Sequence, residues 1–487
     1  MLVAAIAATA LAVQAPAAPP SCAAALAALM RAHEENYAGY TLEVLPAPAR
    51  LAAYRQRVGQ LTAHSATGDR MACLALLQAY VAFFDDPHLF VADTPDYSPA
   101  QAEARRLPAE SRTPAEVDAS LAAARGGDPI VGRWFEAGRD YAIIPGPGRG
   151  RFLAVETTEG DAAHPRGRIV AHFARLGRAY QATLIQADGT PRRHEARLHR
   201  GLILHMPPLL WGRRGAAPDR LDAANPGAPA FALLGERAAL LSLPSFDPGH
   251  RAALDRLLET HAAAIQARDL LIVDLRGNVG GASTMIGALA PYYYAPSEEA
   301  PSLSWADAYI LSGPLNISVV EGMAAQQAGA EDRAFFADLL ARLRAAPGRL
   351  VRIAPQPEVQ AALARNQQRL FAETIAPPRL FARPGRIAFL VDDQTVSAPE
   401  AALLSVRRSP KVTIFGRNTA GATDYQNVVM FTVGAGEWRF SYGLPTITAT
   451  DRLPRGGYRA TGVPVDVPLD LDRADPIAAI LRHYRMD

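Results

Sequence analysis

The run Arg386-Ile-Ala-Phe-Leu-Val391 has no polar face, so it reads as a buried strand. Gln394-Thr-Val-Ser-Ala-Pro-Glu400 follows it, and then Ala401-Ala-Leu-Leu-Ser-Val406, which reads as a helix. Ser397 therefore stands at a strand-to-helix joint. At such a joint a hydroxyl stands free of the sheet, and the amides that follow point at whatever the hydroxyl attacks. A serine just ahead of a helix is also a common N-cap. Nucleophile and cap are the two roles open to Ser397 on local grounds.

The rest of the chain divides by character. Residues 19–125 form an expected N-terminal helical domain. Ala23 to Tyr37 and Met71 to Phe84 carry apolar residues at helical spacing. The second helix runs into Asp85-Asp86-Pro87-His88, where Pro87 forces a turn, and Leu89 to Val91 reads as a short strand. Residues 126–232 hold short alternating runs broken by Pro and Gly, the pattern of an antiparallel β-barrel-like domain. The opening Gly132-Arg133-Trp134 is loosely similar to that of small ligand-binding barrels, although a buried Trp is the plainer explanation. Gly212 to Pro229 reads as a linker. From 233 to 487 strands and helices alternate, so the whole is a multidomain α/β chain. Ala238 to Leu243, Asp269 to Asp274 and Lys411 to Phe415 are its further strands, with helices from Ala252 to Gln266 and from Ser283 onward.

A chain of 487 residues with 49% hydrophobic content has ample material for such cores. Its net charge of +2 supplies no field for nucleic acid or an anionic membrane. The first 18 residues are apolar and end in small residues, which suggests a signal peptide and an exported, periplasmic or extracellular protein without stable membrane insertion. Cys22 and Cys73 are the only cysteines, open either to a disulfide or to two buried thiols. Lysine occurs once, at Lys411, so no other lysine is available to a mechanism. The histidines show no metal-ligand spacing, and neither a metal nor a cofactor is expected.

Asp274-Leu-Arg-Gly-Asn-Val-Gly-Gly281 is the second informative stretch. A strand ends there in a glycine-rich turn, and such a turn can aim bare amides at an anion. In acyl transfer that anion is the oxygen of the tetrahedral intermediate. A phosphate-binding nucleotide loop is the competing reading, but the spacing fits neither of its common patterns. A turn with no ligand is the third.

Together these stretches resemble the C-terminal processing (tail-specific) serine peptidase family, whose relatives include the tricorn core protease. The resemblance rests on Leu243-Pro-Ser-Phe-Asp247, on Asp274 to Gly281, on Thr395 to Glu400, and on Phe415 to Gly421 with Gly462 to Asp466. Asp86-Pro-His88 adds a match to an Asp-x-His motif. The resemblance implies a crotonase-like (β-β-α) core and hydrolysis of peptide bonds in a peptide or unfolded protein. Ser397 would be the nucleophile. Gly280 or Gly281, with the Ala398 amide, would hold the oxyanion. Asp274, Arg276, Asn278 and Glu400 would support the site.

The chain departs from the family where many members place a lysine, because Ala422 stands there. A Ser/Lys dyad is therefore excluded, and the tricorn-like Ser/His branch fits better. His88 becomes the general base. The glutamate that branch places before its closing Gly-Val is replaced by Arg459. Asp424 is the substitute expected to back His88, with Asp86 as the alternative. No PDZ-like segment is recognisable, so tail specificity is not implied. Two other functions compete: a catalytically inactive peptide- or lipid-binding protein on the same scaffold, and a crotonase-like acyl-CoA enzyme. The oligomeric state is left open.

Overall fold

The computed structural model describes residues 11–12, 20–124, 126–136, 138–160, 165–207, 209–215, 221–222, 224–293, 308–354, 381–448, 457–459, 461–473 and 475–486. The expected leader at 1–18 lies outside them, apart from 11–12.

The helix Cys22–Asn36 starts where Ser21 Oγ accepts the Ala24 amide at 3.2 Å. The helix Arg70–Val81 starts on Asp69, whose carboxylate accepts the Met71 amide at 2.8 Å. It runs through the 3₁₀ turn Ala82–Phe84 and ends at Asp85, in the left-handed region at φ +53°. His88 sits just beyond that exit, ahead of the strand Phe90–Asp93. Cys22 and Cys73 are joined in a disulfide across these two helices. With the two cysteines 51 positions apart in the sequence, replacing both by serine is expected to cost about 2–4 kcal/mol, read as a lower urea midpoint.

This helical region is not a self-contained unit. Its core, with Leu29, Tyr37, Tyr80 and Phe84, is continuous with Tyr425, Phe431 and Tyr442 from the C-terminal part of the chain. The strand Phe90–Asp93 pairs antiparallel with Phe440–Thr448, which also pairs with Tyr425–Val433. The division expected at 125 and 232 is thus bridged by one shared sheet and core.

The middle region is a closed antiparallel barrel of eight strands, from Gly132–Glu136 to Leu209–Arg213. The last strand occupies the start of the expected linker. Leu209, Leu210, Trp211 and Gly212 pair with Ile203–Met206 on one side, and Gly212 and Arg213 pair with Phe135 and Trp134 on the other. The interior is filled by its own side chains. Trp134 is fully buried and donates its indole N–H to the Ile130 carbonyl at 2.9 Å. Trp211 stacks on Tyr141 with ring centroids 4.2 Å apart.

The third unit is a six-stranded sheet in the order Ala230–Leu234, Ala238–Ser242, Leu270–Asp274, Arg386–Val391, Val412–Gly416 and Val467–Pro468. All its pairings after the first are parallel. Strands covered on both faces explain the unbroken apolar runs in the two central members. After Asp274 the chain forms a 3₁₀ turn at Ser283–Leu289 and a short helix at Ala290–Tyr293, where one continuous helix is expected. Two further helices, Pro314–Ala325 and Ala330–Ala345, carry a small core of their own with Phe336 and Leu343. Among the described residues no helix is long and apolar enough to cross a membrane.

Candidate active site

Ser397 lies between the central strand Arg386–Val391 and the helix Ala398–Val406. Its backbone is held at φ +70° and ψ −117°, a conformation that costs a residue with a β-carbon about 1–3 kcal/mol. Two neighbours hold it there. The Ser397 amide donates to Glu400 Oε2 at 2.7 Å, and the Val396 amide donates to the Asn278 carbonyl at 2.9 Å. The second bond brings the glycine turn against the serine. A β-carbon on Gly280 would come within 3.1 Å of Ser397 Cβ and 3.5 Å of its Oγ. Only glycine lets the turn approach this closely.

The turn assigns its amides unequally. The Gly280 amide donates to Asn278 Oδ1 at 3.0 Å, and the Asn278 side chain is anchored by its own bond to the Leu243 carbonyl at 2.9 Å. Gly280 is therefore corrected from oxyanion donor to the residue that makes room for Ser397. Gly281 stays at φ +131°, with a hypothetical β-carbon 2.1 Å from the Phe246 carbonyl oxygen. Among the described residues neither the Gly281 amide nor the Ala398 amide has a hydrogen-bond partner. Ser397 is thus followed by one bare N–H donor, on Ala398, and the glycine turn packed against it holds a second, on Gly281.

Asp274 and Arg276 brace the base of the turn. Arg276 grips Asp274 with two bonds of 3.0 and 2.7 Å. Arg200, from the barrel hairpin, reaches the same carboxylate at 2.7 Å and Ser242 Oγ at 3.2 Å. Burial alone would push the Asp274 carboxyl up, but the Arg200 and Arg276 guanidiniums outweigh it and hold it well below the usual carboxylate range. Asp392 ties in the other side by accepting the Gly277 amide at 2.9 Å.

The barrel also presses His199 against this turn, so that a β-carbon on Gly277 would lie 2.6 Å from His199 Nδ1. Burial, then the charges of His205, Arg200 and Arg197, push the His199 imidazole down to about 3. A histidine held neutral in this way stabilises the fold above its unfolded value of about 6.5, and the contribution is lost as pH falls from there toward the folded value. Between about pH 6.5 and about pH 4 a His199→Leu variant should lose less stability than the wild type, by up to about 1.4 kcal/mol per pH unit. Urea midpoints across that range check it.

His88 is buried, and its two ring nitrogens are in different states. Nδ1 lies 2.5 Å from the Tyr425 carbonyl, which can only accept, so Nδ1 carries the proton. Nε2 is buried and has no partner among the described residues, and with Nδ1 protonated it is the free acceptor. This is the tautomer a general base needs. Among the described residues no carboxylate is hydrogen-bonded to the ring. Asp86 accepts the His88 backbone amide at 2.9 Å rather than a ring nitrogen. Asp424 is turned elsewhere, accepting the Tyr458 amide at 3.1 Å. The expected pairing of Asp424 with His88 is therefore replaced by a peptide carbonyl, contributed by the next residue in the chain. Lys411 donates to the carbonyls of Tyr292, Phe381 and Ala382, at 3.3, 2.8 and 3.3 Å, and takes no part in the site.

Glu400 is fully buried and accepts four hydrogen bonds. Thr419 Oγ1 and the Gly421 amide reach Oε1 at 2.6 Å each, and the Ser397 and Ala422 amides reach Oε2 at 2.7 and 2.9 Å. It ties the Ser397 joint to the turn at 419–422, three residues before Tyr425. Sequence patterns single out Glu400, Ser397, the Phe415 to Gly421 segment and Ala422 separately, but not the hydrogen bonds that join them. Among the described residues no three His, Cys, Asp or Glu side chains are grouped to hold a metal.

No family model and no curated protein matches the chain. Solved structures do. The chain is similar to mature CPAF at 13% identity, with 92% of this chain and 93% of that one covered and a TM-score of 0.42. It is similar to the photosystem II D1 C-terminal processing protease at 14% identity, over 93% and 94% of the two chains, with a TM-score of 0.34. With the tricorn protease the identity is 12%, over 95% of this chain and 37% of that one, at a TM-score of 0.37.

Proposed function

We propose that this chain is a serine-type peptidase that cleaves peptide bonds by acyl transfer to Ser397. The observation that carries the proposal is the strained Ser397 joint packed against the Gly280 turn, with one bare amide in each of the two segments, at Ala398 and at Gly281. His88 Nε2 takes the hydroxyl proton as Oγ bonds to the scissile carbonyl carbon. The carbonyl oxygen becomes an oxyanion, and the Gly281 and Ala398 amides donate to it. The C–N bond then breaks and His88 returns the proton to the leaving amine. Water, deprotonated by the same imidazole, releases the acyl group and restores Ser397.

The orienting group for His88 is a neutral carbonyl. It fixes the tautomer but stabilises an imidazolium less than a carboxylate does. A fluorophosphonate probe should label the wild type at Ser397 and should fail on Ser397→Ala. His88→Ala should label far more slowly, and a peptide library should report cleavage by the wild type alone. An unlabelled, folded wild type would overturn this reading and leave the binding-protein alternative. The same library reads the substrate's sequence.

A further inference from the structure

Tyr425 is held at both ends. Its carbonyl accepts from His88 Nδ1, and its hydroxyl donates to Glu43 Oε1 at 2.6 Å. Glu43 lies in the π-helical turn Tyr40–Val44. Arg459 meets the same carboxylate with two bonds, Nη1 to Oε1 at 2.6 Å and Nη2 to Oε2 at 2.5 Å. The Glu43 and Arg459 side chains are only 10% and 18% exposed, so water screens the pair little. The Tyr425 ring also lies 4.9 Å from the ring of Tyr37. Tyr37 donates to Asp86 Oδ2 at 2.8 Å, and Asp86 Oδ1 accepts the His88 amide. The ring and the main chain of His88 are thus both tied to neighbours of one buried ion pair.

We propose that Glu43 is a positioning residue: pinned by Arg459, it holds Tyr425 so that the tyrosine's carbonyl presents His88 to substrate in a single tautomer. The proposal rests on the reading of His88 as general base. A carbonyl offers no net charge to capture a wandering imidazole, and a hydrogen bond weakens steeply once it is misaligned. Orientation by a carbonyl therefore needs that carbonyl fixed by other means. The Glu43 bond to the tyrosine hydroxyl supplies this, and Arg459 holds the Glu43 carboxylate in place, with Arg50 also approaching it at 3.8 Å. The residue that replaces the expected glutamate is thereby given a role. Arg459 brings a glutamate from the N-terminal region into the same neighbourhood.

Tyr425→Phe removes only the hydroxyl, and Glu43→Gln removes the charge. The readout is the tautomer of His88 in protein labelled with ¹⁵N-histidine, with its signal assigned by its absence from His88→Gln. The wild type should show Nδ1–H alone, and both variants a mixture with Nε2–H. Alongside, kcat on a cleaved peptide should fall about tenfold with KM within about twofold. A purely structural role would lower the melting temperature and leave the tautomer as it was. Pure Nδ1–H in both folded variants overturns the proposal. The tautomer can be read whether or not Ser397 attacks anything, so a wild type that resists the fluorophosphonate probe overturns the peptidase reading alone.

Discussion

Replacing Ser397 with glycine is expected to abolish turnover and, at the same time, make the protein more stable than the wild type. Loss of the nucleophile should lower kcat by at least about 10⁴-fold, whether the replacement is alanine or glycine. Stability separates the two. At φ +70° a β-carbon is strained, and glycine removes that strain. Glycine's looser unfolded chain takes back about 0.5–1 kcal/mol of the gain. Ser397→Gly should therefore unfold about 1 kcal/mol above the wild type, and Ser397→Ala close to it. If Ser397 served only as a helix cap, alanine would cost about 1 kcal/mol and glycine a few tenths, placing both below the wild type. Urea unfolding of the three proteins decides between strain kept for chemistry and an ordinary cap. A glycine variant less stable than the wild type would sink the idea that the joint is held under strain.

What could be foreseen of this joint was local. An apolar run, a serine, a proline and an apolar helix follow one another between Arg386 and Val406, and each acts on its neighbours through backbone geometry. The Asp274 to Gly281 turn is legible for the same reason, because Gly277, Gly280 and Gly281 answer to the positive φ that the turn's own backbone requires. The choice between Gly280 and Gly281 is not legible, because sequence cannot say which amide a nearby Asn side chain captures, and here it is that of Gly280. Sequence points to carboxylates as partners for His88, since side chains are what a sequence displays. Every residue carries a carbonyl, so the Tyr425 carbonyl leaves no mark in the pattern. Glu43 and Arg459 lie 416 residues apart, and nothing in either local stretch announces the other. The same distance hid the shared core. Periodicity showed that the N-terminal helices have an apolar face, but not that the strands Tyr425–Val433 and Phe440–Thr448 cover it.

Glu400 carries the second large prediction, because it is where the joint, the helix and the turn at 419–422 meet. In the Glu400→Gln variant an amide group faces four donors. A carboxamide has one acceptor oxygen, and its NH₂ cannot accept. At least two of the donors now satisfied, among the Ser397, Gly421 and Ala422 amides and Thr419 Oγ1, would be left buried against another donor. Each orphaned donor costs about 1–3 kcal/mol, so a loss of about 2–6 kcal/mol is expected in urea unfolding. That is a large part of the roughly 5–15 kcal/mol by which folded domains are stable. The loss should also reach the chemistry below the unfolding transition. The bond to the Ser397 amide is one of two that keep the residue at φ +70°, and without it the backbone can relax toward an ordinary conformation. Oγ and the Ala398 amide would then leave their places together. Labelling by the fluorophosphonate probe should slow by about 100-fold, at temperatures where the variant remains folded by circular dichroism. A folded Glu400→Gln protein labelled at the wild-type rate would mean that the strain at Ser397 is imposed by the sheet and the glycine turn alone. In that case Glu400 is a structural tie between the helix and the 419–422 turn, and the nucleophile's geometry does not depend on it.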